Sequence, residues 1–227
     1  YSLYMISFES FYEHFKNSLM RPIENENSSL RPILIFGCSF AYGDNINDNE
    51  TFSHHIAQYV KNPVYNFAFG GWSIANTLYQ AQHEPLIKNM KKEPEYVIYV
   101  YTPVQLYRMY LHVFDPGDFH LTVHYDFKDG KLKETKPNLF LYSLYSVKKI
   151  DNAIAMNKTY NDNFNIKNQE ILTTFFKETL KEFKKHWKNT KYYILVYENG
   201  KDSYIEQIGK ETDWQVINLS EITDIDI

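Results

Sequence analysis

Ser39 lies in the segment Gly37-Cys-Ser-Phe-Ala-Tyr-Gly43, directly after the short apolar run Pro32-Ile-Leu-Ile-Phe36. A serine at a strand end, on a tight turn that a glycine permits, presents its hydroxyl to solvent. Its own N–H can serve as a donor to an oxyanion. Such a residue can act as the nucleophile of an acyl transfer. The plainer alternative is a serine that caps the helix starting nearby. The loop is not a Gly-x-Ser-x-Gly elbow, because position 41 is Ala. It is not a phosphate loop either, because no Gly-Lys-Ser/Thr follows. Cys38 reads as a small buried residue, since no basic neighbour is there to lower its pKa.

The chain has eight histidines. His54 and His55 are adjacent on an expected helix and point about 100° apart, so they cannot share one metal ion. His120 and His124 share a strand face by parity, but no acidic third ligand stands at a suitable spacing. No metal site and no cofactor is therefore expected. Contact of His120 and His124 with a substrate is the reading that fits a segment overhanging the strand ends.

Composition narrows the partners. The net charge of −4 gives no electrostatic reason to expect nucleic acid. The basic cluster Lys181 to Lys191 is interrupted by Glu182 and reads as a solvated helix face. No run approaches the ~20 apolar residues of a membrane span. One cysteine excludes an internal disulfide and leaves the compartment open between cytoplasm and cell envelope. Aromatic residues make up 17% of the chain, which fits either a cleft lined by tyrosines or a general bias toward Lys, Asn, Ile, Tyr and Phe.

The 227 residues suffice for one domain with one sizeable core. Phe8, Phe11, Tyr12, Phe15 and Leu19 have helical spacing, and residues 21–31 read as a linker. Five runs read as strands, near residues 31–36, 63–67, 95–101, 191–198 and 214–219. Helical segments near 51–60, 73–83, 167–188 and 203–209 alternate with them. That alternation predicts parallel βαβ units and a doubly wound sheet. Residues 103–165 break the rhythm. They read as an inserted lobe after strand three, containing a hairpin around Asp129-Gly130 and a helical segment.

The segment Ile35 to Gly43, with Asn49-Glu-Thr-Phe52 after it, resembles the first block of the SGNH (GDSL-type) hydrolases. Cys38 stands where that block usually has Asp. Tyr65-Asn-Phe-Ala-Phe-Gly-Gly-Trp72 resembles the second block. The resemblance implies a flavodoxin-like three-layer α/β/α fold with strand order 2-1-3-4-5. It also implies that Ser39 is the nucleophile and that Gly71 supplies a second oxyanion N–H. The family's third block carries an Asn. Here Val100-Tyr-Thr-Pro-Val-Gln105 has none, and Thr102 and Gln105 are the side chains that could replace it, Thr102 at the oxyanion and Gln105 toward substrate.

The family's last block, Asp-x-x-His, has no match, because no histidine follows His186. On this resemblance the catalytic pair is expected beyond Ile227. The implied reaction is hydrolysis of small acyl esters, O-acetyl groups on sugars or glycans among them. The alternative is a non-catalytic binding module that keeps the fold without its Asn and His blocks. A flavodoxin-like nucleotide binder is disfavoured, since the first loop lacks a Ser/Thr-rich phosphate cradle.

Overall fold

A computed structural model describes residues 21–103, 105, 123–135, 169–197 and 203–219 of the chain. The N-terminal helix expected over residues 8–19 lies outside them, as do His120 and much of the lobe expected over residues 103–165.

The main sheet is formed by β1 (Ile33–Gly37), β2 (Val64–Asn66), β3 (Tyr96–Tyr101), β6 (Lys191–Val196) and β7 (Trp214–Asn218). All its pairings are parallel, in the order β2-β1-β3-β6-β7. Renumbered within the sheet, this is the expected order 2-1-3-4-5. Every residue of β1 is buried, as a central strand covered on both faces requires.

The helices follow the strand crossovers. α1 (Ser39–Tyr42) and α2 (Phe52–Tyr59) lie between β1 and β2. α3 (Ile74–His83) and α4 (Pro85–Lys88) lie between β2 and β3, α5 (residues 169–186) before β6, and α6 (Ser203–Glu211) before β7. Alternation along each strand divides the core in two. Leu34, Phe36, Val97, Tyr99, Tyr192 and Ile194 face α3, α5 and α6. Ile33, Ile35, Val64 and Val100 face Ala41 of α1 and Ala57 of α2. Helices therefore cover both faces of the sheet, giving three layers in all.

Among the described residues, the aromatic side chains are used mainly in the larger core. Phe36 stacks on Phe67 and approaches Phe183, each at 5.3 Å between ring centroids. Phe183 also stacks on Trp187 at 5.2 Å, and Phe176 meets Trp214 edge-on at 5.7 Å. Burial of large rings is the role of these residues.

The described part of the insertion is a hairpin, β4 (His124–Lys128) and β5 (Lys131–Thr135). It turns at Asp129-Gly130, with φ of 52° and 72° at the two positions, as a tight two-residue hairpin turn demands.

Candidate active site

Ser39 stands at the carboxyl edge of the sheet, where open parallel folds hold their ligands. The bend that places it depends on Gly37, whose φ is +146°. A Cβ there would lie 2.8 Å from the Val100 carbonyl oxygen, so β1 can end this close to β3 only with glycine. Cys38, not Ser39, occupies the N-cap of α1. The capping alternative for Ser39 is therefore not realised. The Ser39 side chain is half-buried, and its hydroxyl has no hydrogen-bond partner among the described residues. Its carbonyl accepts from the N–H groups of Gly43 at 2.8 Å and Asp44 at 3.1 Å, closing the loop.

Arg21 locks the far side of that loop. Its guanidinium donates to the carbonyls of Tyr42 (3.2 Å), Gly43 (2.5 Å) and Ile46 (3.2 Å) and pairs with Asp48. It also lies over the Tyr42 ring at 4.5 Å. A cation at the end of α1 takes up the carbonyls the helix leaves unpaired. Sequence reading assigned Arg21 to a linker, because nothing local marks a partner more than twenty residues away.

The second loop runs beside the first. Phe67 N–H donates to Ile35 O at 2.7 Å, and Phe69 N–H to Gly37 O at 3.3 Å. Asn66, 1% exposed, joins the two. Its Nδ2 donates to Ala41 O at 2.8 Å and to Ser53 Oγ at 3.3 Å, while its Oδ1 accepts Ala68 N–H at 3.0 Å. Beyond it the chain turns, with Trp72 N–H on Phe69 O at 3.2 Å and Gly71 at φ +80°. Gly71 is buried at the N-terminal side of α3. At Gly70 an added Cβ would meet the Asp44 carboxylate at 2.7 Å, so this glycine lets the two loops touch.

Thr102 and Gln105 follow β3. Thr102 is fully buried, and its hydroxyl lies 3.9 Å from Cys38 Sγ, directly under the Ser39 loop. Gln105 is 1% exposed, and both ends of its amide are engaged. Nε2 donates to Val100 O at 2.9 Å, and Oε1 accepts Tyr99 O–H at 2.6 Å. Gln105 thus braces the third loop, with one amide N–H and its carbonyl oxygen used within the fold.

His54 and His83 have partners elsewhere. His54 Nδ1 lies 3.1 Å from Glu24 Oε1, and its Nε2 3.2 Å from Gln58. His83 pairs with Glu134 at 3.0 Å and contacts the Tyr79 ring at 4.3 Å. His83 and His186 end α3 and α5, which run back from the carboxyl edge of the sheet. His124 opens β4, and His120 lies outside the described residues. No group of three His, Cys, Asp or Glu side chains suited to a metal ion occurs among the described residues.

The hairpin packs on the α3–α5 layer. Val123, where it begins, clusters with Trp72 and Tyr79. Tyr125 O–H donates to Gln82 at 2.9 Å, its ring meets Phe175 edge-on at 5.4 Å, and Phe127 and Leu132 pack on the main core. Burial first, then the Glu134 carboxylate, raises the Tyr125 pKa well above the ordinary range. The root of the hairpin thus adjoins the second loop, while its body covers the helices.

No protein-family model and no curated protein sequence matches this chain. Among solved structures it is similar to a carbohydrate esterase family 2 enzyme with a carbohydrate-binding domain from Corynascus thermopiles (Myceliophthora fergusii). That match has 10% identity and a TM-score of 0.45, and spans 84% of this chain but 57% of the other. It is also similar to AlinE4, an SGNH-hydrolase family esterase, at 13% identity and a TM-score of 0.45, over 88% of this chain and 82% of that one. A catalytic mutant of Axe2, an acetylxylan esterase from Geobacillus stearothermophilus, matches at 13% identity and a TM-score of 0.40, over 84% and 76%. No helix among the described residues is long and apolar enough to cross a membrane.

Proposed function

We propose that this chain carries the nucleophile and oxyanion site of an SGNH-type ester hydrolase for small acyl esters, O-acetyl groups on sugars or glycans among them. The observation that carries the reading is the Ser39 hydroxyl. It is uncommitted at the carboxyl edge of the sheet, in a loop that Asn66 ties to Ala68, in the segment that leads to Gly70-Gly71.

In this mechanism Ser39 Oγ attacks the ester carbonyl carbon as its proton passes to a base. The carbonyl electrons move to oxygen, which the N–H groups of Ser39 and Gly71 hold, with Thr102 beneath them. Collapse breaks the bond to the alcohol, which leaves with the proton. Water then repeats the sequence on the acyl-enzyme and restores Ser39. The base is a histidine outside the described side chains, with His120 and His124 the first candidates and His14 and His112 the others.

A fluorophosphonate probe tests the reading. The natural full-length protein should be labelled at Ser39, read by mass spectrometry, and Ser39→Ala should abolish both labelling and turnover of p-nitrophenyl acetate. An unlabelled, folded full-length protein would defeat the hydrolase reading. It would favour a non-catalytic ester-binding module, a second reading supported by the third loop, which has no Asn and where the Gln105 amide is tied to Val100 O and Tyr99 O–H.

A further inference from the structure

Gly71 is buried, and its N–H has no hydrogen-bond partner among the described residues. Buried backbone donors are nearly always paired in a folded protein, so an unpaired one fits a donor kept for an oxyanion. Gly71 lies in a turn from Phe69 to Trp72, closed by the Trp72 N–H on Phe69 O, with two glycines at its centre. The glycines bring no side chains that could pack and hold the turn in place. Its position is left to the residues at its two ends.

Those ends are aromatic. Trp72 is buried with Tyr79 and Val123, and Phe69 packs on that cluster, its ring 5.5 Å from the Trp72 ring. Phe69 also meets Tyr42 edge-on, with centroids 5.5 Å apart and planes at 66°. Tyr42 is the last residue of α1, the helix that begins at Ser39. It packs on the smaller core, and the Arg21 guanidinium lies over its ring. The Tyr42–Phe69 contact therefore joins the serine loop to the glycine turn by side chains. The hydrogen bonds of Asn66 and of the Phe69 N–H act before the glycines and leave the turn itself unfastened. Both rings are half-buried, so the contact contributes less through burial than through its fixed distance and angle.

We propose that Tyr42 and Phe69 are positioning residues for the oxyanion site: their edge-on contact fixes the Gly71 N–H relative to the Ser39 N–H. The proposal rests on the reading of these two groups as the oxyanion donors. Such donors must lie about 2.7–3.1 Å from one oxygen. A misplacement of about 1 Å can cost about a hundredfold in rate. The rings act through the donors and not on the ester itself.

The test uses the natural full-length protein and two independent readouts. Residual dipolar couplings report the direction of the Gly71 N–H against β1 and β3. Tyr42→Leu, a change on the opposite loop, should take the Gly71 coupling out of the frame of the sheet, as should Phe69→Leu. Fluorophosphonate labelling of Ser39 reports the chemistry. Each leucine variant should slow the labelling step by about tenfold without weakening the initial binding of the probe. The double variant should be no slower than either single one, because all three lose the same contact. Tyr42→Phe, which keeps the ring, should restore both readouts. Circular dichroism identifies a leucine variant that fails to fold, and the methionine variant at that position then replaces it. A Gly71 coupling that stays in the wild-type frame in the Tyr42→Leu protein overturns the proposal, as do rate losses that multiply in the double variant. An unlabelled wild-type protein defeats the reading of Ser39 as nucleophile, and the Gly71 coupling then decides the ring contact by itself.

Discussion

The side-chain amide of Asn66 donates to the Ala41 carbonyl at 2.8 Å, tying the exit of β2 to the helix that begins at Ser39. The same amide serves Ser53 and Ala68, so one fully buried residue coordinates both loops of the site. Replacing it by Leu leaves the Ala41 carbonyl and the Ala68 N–H without this partner. Asn66→Leu should cost about 1–3 kcal/mol, the penalty for stranded buried polar groups. Urea unfolding measures it, and a cost within error of zero would mean that the loops hold each other without this hub.

Gly37→Ala places a methyl group 2.8 Å from Val100 O and 3.0 Å from the Ala41 Cβ, at a φ that L residues rarely adopt. Strand backbone cannot yield there without breaking the β1–β3 ladder. The expected loss is about 1–3 kcal/mol or more. Thermal unfolding should show a clear drop in Tm, whereas Gly130→Ala, with nothing within 4 Å of its added Cβ, should lose less.

A hairpin that served only to overhang the strand ends would be dispensable to the fold. The packing of Tyr125, Phe127 and Leu132 on the main core points the other way. Deleting residues 124–135 uncovers the apolar faces of α3 and α5. A single fully buried side chain of this size is worth about 1.5–3 kcal/mol, so the partly buried set together amounts to a large share of a domain's stability. The deletion should lower the urea midpoint strongly; an unchanged midpoint would show that the hairpin is dispensable to the fold.

Alkaline pH should destabilise the protein. Burial raises the pKa of Tyr125 and of Tyr192, whose hydroxyl donates to Trp187 O at 3.0 Å. Folded values above the unfolded 10.0 mean that the unfolded chain releases these protons first. The contribution is intact below pH 10 and is lost as pH rises toward the folded values. Unfolding free energy measured from pH 9 to 11.5 should fall with pH, and Tyr125→Phe should flatten that slope. A slope unaffected by the substitution would place the titration elsewhere.

Arg21→Ala removes every side-chain donor that Arg21 supplies to the end of α1. Because the effect is on the loop that carries Ser39, it should appear as faster amide exchange at Gly43 and Asp44. Global stability should change by no more than about 1–2 kcal/mol, as for other helix-end interactions. Exchange unchanged at those amides would make Arg21 a surface contact only.

The sheet was legible in the chain because buried strands are runs of apolar residues, and their alternation with helices leaves one handed way to connect them. Pro32 to Phe36 and Tyr96 to Tyr101 announce themselves without reference to any partner. The Ser39 loop was legible for the same local reason: glycines flank a serine at a strand end. What only the tertiary structure decided are relations between residues far apart in the chain. Arg21 became a clamp on α1, Asn66 a hub, and Gln105 a brace with both amide ends engaged. The hairpin settled on the helices, and Tyr42 met Phe69. Periodicity reports which face of an element is buried, because burial acts on every turn or every second residue. A hydrogen bond or ring contact between distant segments leaves no such repeat, and which groups meet is determined only when the layers close.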